Sequence, residues 1–150
     1  MQIIEYDAKH KQDFIDFNTA WIVDNFSFLE DEDRETFDHI EQELSDGAII
    51  YFAVEDDMAL ATCMVKPMEE DTWEICKLGS NKNANHKGCG SAVFEAAMKW
   101  AEDHRAKRLC IISNSKLKAA LHIYHKYGFQ EIKLGDYEYV RRDIAFEKIL

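Results

Sequence analysis

Asn85-His86-Lys87-Gly88-Cys89-Gly90-Ser91 is the stretch on which the reading of the fold turns. It follows residues 73–80, which read as a strand, and opens residues 92–104, which read as a helix. Val93, Ala96, Ala97, Trp100 and Ala101 give that helix a wide apolar stripe suited to packing on a sheet. Two glycines at a strand-to-helix junction let backbone come close to a ligand and leave N–H groups exposed at the helix start. Those donors and the positive end of the helix dipole suit a phosphate or pyrophosphate. A Gly-x-Gly at a helix start also serves as an ordinary turn, so the rest of the chain has to decide between the two.

Working outward, the chain alternates strands and helices with no linker and no internal repeat. Ile3 and Ile4 indicate a short first strand, and Phe14, Phe17, Trp21 and Ile22 place an amphipathic helix over 8–26. Residues 30–33 read as an acidic loop and 36–44 as a second helix, ending before Ser45-Asp46-Gly47. Strands are expected over 48–54 and 58–66, joined by Glu55-Asp56-Asp57. After the glycine-loop helix, 109–112 form a short apolar run typical of a buried strand, parallel to 73–80. Leu117, Ala120, Leu121 and Tyr124 set a helix over 116–127, which Gly128 stops. Strands over 129–134 and 140–149 close the order β-α-α-β-β-β-α-β-α-β-β, an α/β domain around one mixed sheet.

Composition narrows the function. A chain of 150 residues with 47% apolar content and one proline is long enough for one well-filled core. No apolar run reaches the ~20 residues that cross a bilayer, and the N-terminus lacks the pattern of a signal peptide, so a cytoplasmic location is expected. The net charge of −11 argues against nucleic acid and against an anionic membrane surface. Local positives (Lys77, Lys82, Lys87, then Lys116, Lys118, Lys126) flank the glycine loop and the following helix. The cysteines Cys63, Cys76, Cys89 and Cys110 form no CxxC pair and read as reduced, buried thiols. His122 and His125 have no acidic or cysteine partner in sequence, so no metal site is expected. Homodimerisation is left open.

Two segments together bring out a resemblance across nearly the whole chain. Residues 85–90 resemble the (Gln/Arg)-x-x-Gly-x-(Gly/Ala) pyrophosphate loop of the GNAT N-acetyltransferase superfamily. Ala120, Tyr124, Gly128 and Phe129 resemble its Ala-x-x-x-Tyr-x-x-x-Gly-Phe segment, about 30 residues on with a strand between. The chain departs from the pattern at Asn85 (usually Gln or Arg), His86 (often Gly), Ser80 (usually small aliphatic) and Leu117 (commonly Asn). Backbone N–H groups hold the pyrophosphate in such loops, and any residue supplies those.

The resemblance implies a single-domain GNAT-like fold, with strands splayed at the cofactor site, and transfer of an acetyl group from acetyl-CoA to a primary amine by direct attack. It places Leu78, Gly79 and Ser80 along the pantetheine arm, with Gly79 suited to a close backbone approach. Asn85, His86, Lys87, Gly88, Cys89, Gly90 and Ser91 fall around the pyrophosphate, and Asn114 and Ala120 against the cofactor. Asn114 reads equally as a structural neighbour of a helix start. Cys89 invites comparison with an activated thiol, but the family position packs inward.

An ammonium with a pKa of ~10.4 costs about 4.6 kcal/mol to neutralise at pH 7, so a base is needed. Glu74 matches a position where some members keep one, and it reads equally as a solvated strand carboxylate. The departing thiolate needs a proton back. Tyr124 holds the family's acid position, at a cost of about 2 kcal/mol from ordinary pKa values; on spacing alone it is a core aromatic.

A cationic acceptor is expected from Asp24, residues 30–33, residues 69–71 and Glu74, with Trp21, Phe28 and Trp73 in the same segments. Two other classes stay open: a GNAT-like acyl-CoA-binding regulatory module without turnover, and an α/β nucleotide-binding protein. The P-loop and dinucleotide fingerprints are both absent, which disfavours the second.

Overall fold

The computed structural model describes residues 1–84, 86–134 and 141–150; Asn85 and the expected strand start at Val140 lie outside them. The elements run β1 (Gln2–Glu5), a 3-10 turn (Ala8–His10), α1 (Lys11–Phe26), α2 (Asp31–Asp38), α3 (Ile40–Ser45), β2 (Ile49–Glu55), β3 (Met58–Pro67) and β4 (Thr72–Ser80). Then follow α4 (Cys89–Asp103), β5 (Arg108–Ser113), α5 (Lys118–Lys126), β6 (Gln130–Ile132) and β7 (Ile144–Ile149). One mixed seven-stranded sheet has the order β1-β2-β3-β4-β5-β7-β6. Its neighbours are antiparallel except β4 and β5, which are parallel as expected for strands linked across a helix.

Strand alternation sorts the core to the two faces. Cys63, Val65, Trp73, Ile75, Leu109 and Ile111 point to the face covered by α4 and α5, where Val93, Phe94, Ala97 and Tyr124 meet them. Ile50, Phe52 and Met64 point to the other face, under Phe14 and Phe17 of α1, Phe37 of α2 and Ile40 of α3. A period of two in the strands against a period near four in the helices produces this division.

The largest correction concerns the acidic run. Residues 30–33 are not a loop: Glu30 caps α2, and the Glu30 and Asp33 side chains each accept from the other's backbone N–H. Carboxylates in a first turn also complement the helix dipole, so the charges that read as solvated loop start a helix. The single helix expected over 36–44 is two short ones. Helix α4 begins three residues earlier than the stripe indicated, at Cys89, and α5 two residues later, because Asn114 Oδ1 holds the Lys116 N–H in a turn at 2.9 Å. The strand expected over 129–134 spans only 130–132.

Strand β4 carries a bulge. The β3 register passes from Thr62↔Gly79 to Met64↔Cys76, so Lys77 and Leu78 together face one residue, and Lys77 has φ +52°. The alternation resets there. Cys76 and Lys77 both turn toward α1 and α2, and Gly79 then lies directly beneath α1. A Cβ on Gly79 would stand 3.1 Å from Asn18 Oδ1 and 3.2 Å from the Phe17 backbone carbon. The close approach foreseen at Gly79 is therefore made by α1. Gly79→Ala should force α1 away from the sheet and destabilise the protein by about 1–3 kcal/mol. Gly90→Ala, whose Cβ would meet nothing nearer than 3.7 Å, should leave stability unchanged or slightly raised. Urea unfolding of the two variants checks the contrast.

Candidate functional site

Strands β4 and β5 pair only over Thr72↔Arg108, Trp73↔Leu109 and Glu74↔Cys110, then part. The gap opens into a cleft of about 400 Å³. Glu74 to Ser80 of β4 line one wall and Ile111 to Asn114 the other, with Phe17, Trp21 and Phe26 of α1, Gly90 and Phe94 of α4, and Ala120 and Tyr124 of α5 closing it. The structure thus brings Glu74, Leu78, Gly79, Ser80, Gly90, Asn114, Ala120 and Tyr124 together. His86, Lys87, Gly88, Cys89 and Ser91 do not line this volume; they sit at or before the first turn of α4, next to Gly90. Asn85 lies outside the described residues.

The α4 start has the features an anion needs. Gly88 is the N-cap, left-handed at φ +84°, no side chain caps the helix, and the first turn holds no carboxylate. The conformational demand falls on Gly88, since an L residue rarely adopts that φ, whereas Gly90 has room for a methyl group. His86 pairs with Glu55 at 3.3 Å. Cys89 is buried, with Sγ facing the His86 and Leu60 carbonyls, so its side chain is core, as expected.

Tyr124 owes its setting to the way α5 ends. Gly128 N–H donates to the His125 carbonyl at 3.1 Å, and Phe129 N–H to the Tyr124 carbonyl at 3.0 Å. Gly128 has φ +82°. This is a Schellman cap, and its apolar contact joins the rings of Tyr124 and Phe129 at 6.5 Å. The spacing Tyr124, Gly128, Phe129 is therefore a helix-ending device that also orients the phenol. Phe94 and Phe146 complete the packing at 5.6 and 5.4 Å. Tyr124 is only 6% exposed yet borders the cleft, so one ring is both core and cleft wall. Burial raises its pKa well above the ordinary phenol value, and the Ser113 hydroxyl opposes this in part.

Glu74 reaches the cleft from the opposite face. It follows the alternation of Cys76 and Met64 toward α1 and α2, and stands beside Lys66 in the β3 register. At 7% exposure it is not a solvated strand carboxylate. Cys76 and Cys110 share that face; burial, then the Glu74 charge, pushes them up to about 12 and about 11. They are poor nucleophiles. Asn114 also braces the fold, since its Nδ2 donates to the Arg141 carbonyl at 2.5 Å while Oδ1 holds Lys116.

A charged network missed at the sequence level lies against this site. Asp33, fully buried, accepts from Lys77 Nζ at 2.8 Å and from both terminal nitrogens of Arg141 at 2.6 and 2.8 Å. Arg141 also donates to Glu30 and covers the rings of Trp21 and Phe26. The readable signal was Lys77 between Cys76 and Leu78 in an apolar strand, because a buried ammonium requires a carboxylate partner. The carboxylates expected to draw a cationic acceptor have other positions. Asp24 pairs with Lys82, Glu30 and Asp33 belong to the network, and Asp71 pairs with Lys107 at the closed end of β4. Glu74 is the one member of that acidic set lining the cleft. Trp21 lines it too, while Phe28 is exposed at the surface and Trp73 is core. Among the described residues no helix is long and apolar enough to cross a membrane, and no cluster of metal-ligating side chains occurs.

Comparison with known proteins agrees with this geometry. The sequence model of the acetyltransferase (GNAT) family matches residues 15–129. A GNAT-family acetyltransferase from Staphylococcus aureus Mu50 has a similar structure, with a TM-score of 0.87 at 18% identity, over 99% of this chain and 98% of that one. The PaiA N-acetyltransferase of Thermoplasma acidophilum, in complex with coenzyme A, gives 0.76 at 15% identity with both chains fully covered. The yncA protein of Salmonella typhimurium, with its cofactor acetyl-CoA, gives 0.79 at 13%, over 99% and 93%. At these identities the likeness is one of fold. No curated protein matches by sequence.

The network makes a pH prediction. Burial alone would raise the Asp33 carboxyl, but Arg141, Lys77 and the Glu30 N–H outweigh it and hold the group at about 2 against an ordinary 3.8. A depressed folded pKa contributes stability that is present above the unfolded value and lost as pH falls through the folded one. Roughly 2 kcal/mol of unfolding free energy should disappear between about pH 4 and pH 2. Asp33→Asn should be less stable at neutral pH and show a flatter decline over that window, measured by urea unfolding at stepped pH.

Proposed function

The chain belongs to the GNAT acetyltransferase family, and from that premise we propose that it moves the acetyl group of acetyl-CoA to the nitrogen of a primary amine by direct attack. The observation that carries this reading is the splay of β4 from β5. It makes one cleft that meets the uncapped start of α4 and receives Tyr124 and Glu74 from opposite faces of the sheet.

Acetyl-CoA supplies the acetyl group as a thioester. The first-turn N–H groups of α4, presented by Gly88, Cys89, Gly90 and Ser91, fit its pyrophosphate, where the helix dipole favours negative charge. His86 and Lys87 adjoin that turn, and Asn85 belongs to the same loop. Leu78, Gly79 and Ser80, with Ala120 and Asn114, wall the course of the pantetheine arm. Glu74 takes a proton from the incoming ammonium, directly or through water, on the α1 side. Tyr124 faces the thiol from the α5 side. Its raised pKa keeps the phenol protonated, so it donates only as negative charge develops beside it. The acceptor enters against Trp21 and Phe26, where Arg141 and Lys116 lie over the aromatic rings. Of that acidic set Glu74 lines the cleft, and it is the carboxylate to which attraction of a cation is assigned.

Acetyl-CoA at 100 times its dissociation constant should stabilise the protein by about 2.7 kcal/mol, and Gly88→Val should abolish the rise in melting temperature. An unmoved melting curve at millimolar acetyl-CoA removes the reading. Binding without thiol release across a panel of amines would instead favour a regulatory module.

Tyr124→Phe keeps the packed ring and removes the proton donor. It should lower kcat by about 10²–10⁴-fold, with the KM for acetyl-CoA little changed. Wild-type kcat/KM should rise with pH as the amine deprotonates and show no descending limb before pH 10, because Tyr124 stays protonated throughout. A fall beginning near neutrality would overturn the assignment.

A further inference from the structure

Lys77 is an anomaly that the acetyl-transfer reading does not explain. A lysine at φ +52° in a strand interior is strained by roughly 1–2 kcal/mol and persists only where its surroundings over-determine it. Those surroundings are specific. Its ammonium is buried against Asp33 at 2.8 Å and lies 5.8 Å from the centroid of the Phe37 ring. Asp33 cannot follow a displaced lysine, because its other contacts hold it in place: the Glu30 N–H of the α2 cap and both arms of the Arg141 fork. One carboxylate therefore joins the start of α2, the entry to β7 and the bulge of β4.

The bulge borders the reaction. Cys76, Lys77 and Leu78 all line the cleft, and at Lys77–Leu78 the β4 peptide groups step out of the β3 register along its wall. Their direction is set by the left-handed turn at Lys77. We propose that Asp33 is a positioning residue for acetyl transfer: by tethering Lys77 it holds the β4 bulge in the conformation that seats the thioester against the strand. The role rests on the acetyl-transfer reading; Asp33 does not itself line the cleft, and because it also holds Arg141, which does, the two Lys77 variants isolate the part exercised through Lys77.

The tether and the backbone strain are separable by mutation. Lys77→Met removes the ion pair and leaves a side chain at positive φ. Lys77→Gly removes the same pair but adopts positive φ freely. Asp33→Asn breaks the pair from the other side. Lys77→Met and Asp33→Asn should lower kcat by about 10- to 100-fold with the KM for acetyl-CoA within about threefold, the pattern of a misplaced rather than an unbound substrate. Lys77→Gly should recover most of the kcat lost in Lys77→Met.

A second readout needs no turnover. The NMR shift of carbonyl-labelled acetyl-CoA bound to each variant should differ from wild type in Lys77→Met and Asp33→Asn, and return toward it in Lys77→Gly. Wild-type kcat and carbonyl shift in Lys77→Met, or equal impairment of Lys77→Met and Lys77→Gly, would overturn the proposal. If the wild-type protein binds acetyl-CoA but acetylates no amine, the acceptor reading falls and the carbonyl shift decides the role of Asp33.

Discussion

Two parallel strands that hydrogen-bond for three residue pairs and then separate impose the condition on which the remaining structure depends. Backbone groups on both inner edges leave the ladder, and an interior strand edge without partners is costly unless other elements or a ligand meet it. Strand β5 keeps its outer edge paired with β7 as far as Ser113↔Ile144, so its end does not collapse toward β4. Strand β4 is drawn the other way, its bulge resetting the alternation so that Gly79 sits under α1. The opening is thus maintained from both sides, and it is the reason a cleft exists within the sheet at all.

The same residues that pack the core and end the helices also border the cleft. Tyr124 is a core ring held by Phe94, Phe129 and Phe146, and its backbone carbonyl is the acceptor that closes the Schellman cap of α5. A displaced cap would move the phenol. Gly88 in turn gives α4 a left-handed start with no capping side chain, which leaves the first-turn donors directed outward. These are local stability devices placed at the border of the cleft, and rigid elements position side chains and backbone donors better than loops do.

Net charge is a poor guide to the cleft. The chain carries −11 overall, yet among the described residues Lys77, Lys82, Lys116, Lys118, Arg141 and Arg142 line the cleft with Glu74 as the carboxylate. Of the acidic residues in the segments expected near an acceptor, Glu30 and Asp33 cap α2 and join the buried network, and Asp24 and Asp71 pair with lysines. A surface dominated by one sign therefore coexists with a site suited to the opposite one, because field at a site follows nearby charges and falls off within about 10 Å in salt.

What the sequence determined by itself was the architecture and which residues to look for around a candidate site. Periodicities of two and near four placed the β4, α4, β5 and α5 elements to within about three residues, and the glycine loop with Ala120, Tyr124, Gly128 and Phe129 pointed to the family, because these signals depend on local conformation. The start of helix α2 escaped notice because carboxylates in a row resemble a solvated loop until one of them is seen to cap a backbone N–H. The tertiary structure alone decided which face of the sheet each candidate approached, that α1 crowds Gly79, and that Asp33, Lys77 and Arg141 form one network. Those partners are 44 and 108 positions from Asp33, and contacts between such distant segments arise from the packing of elements, which no local pattern encodes.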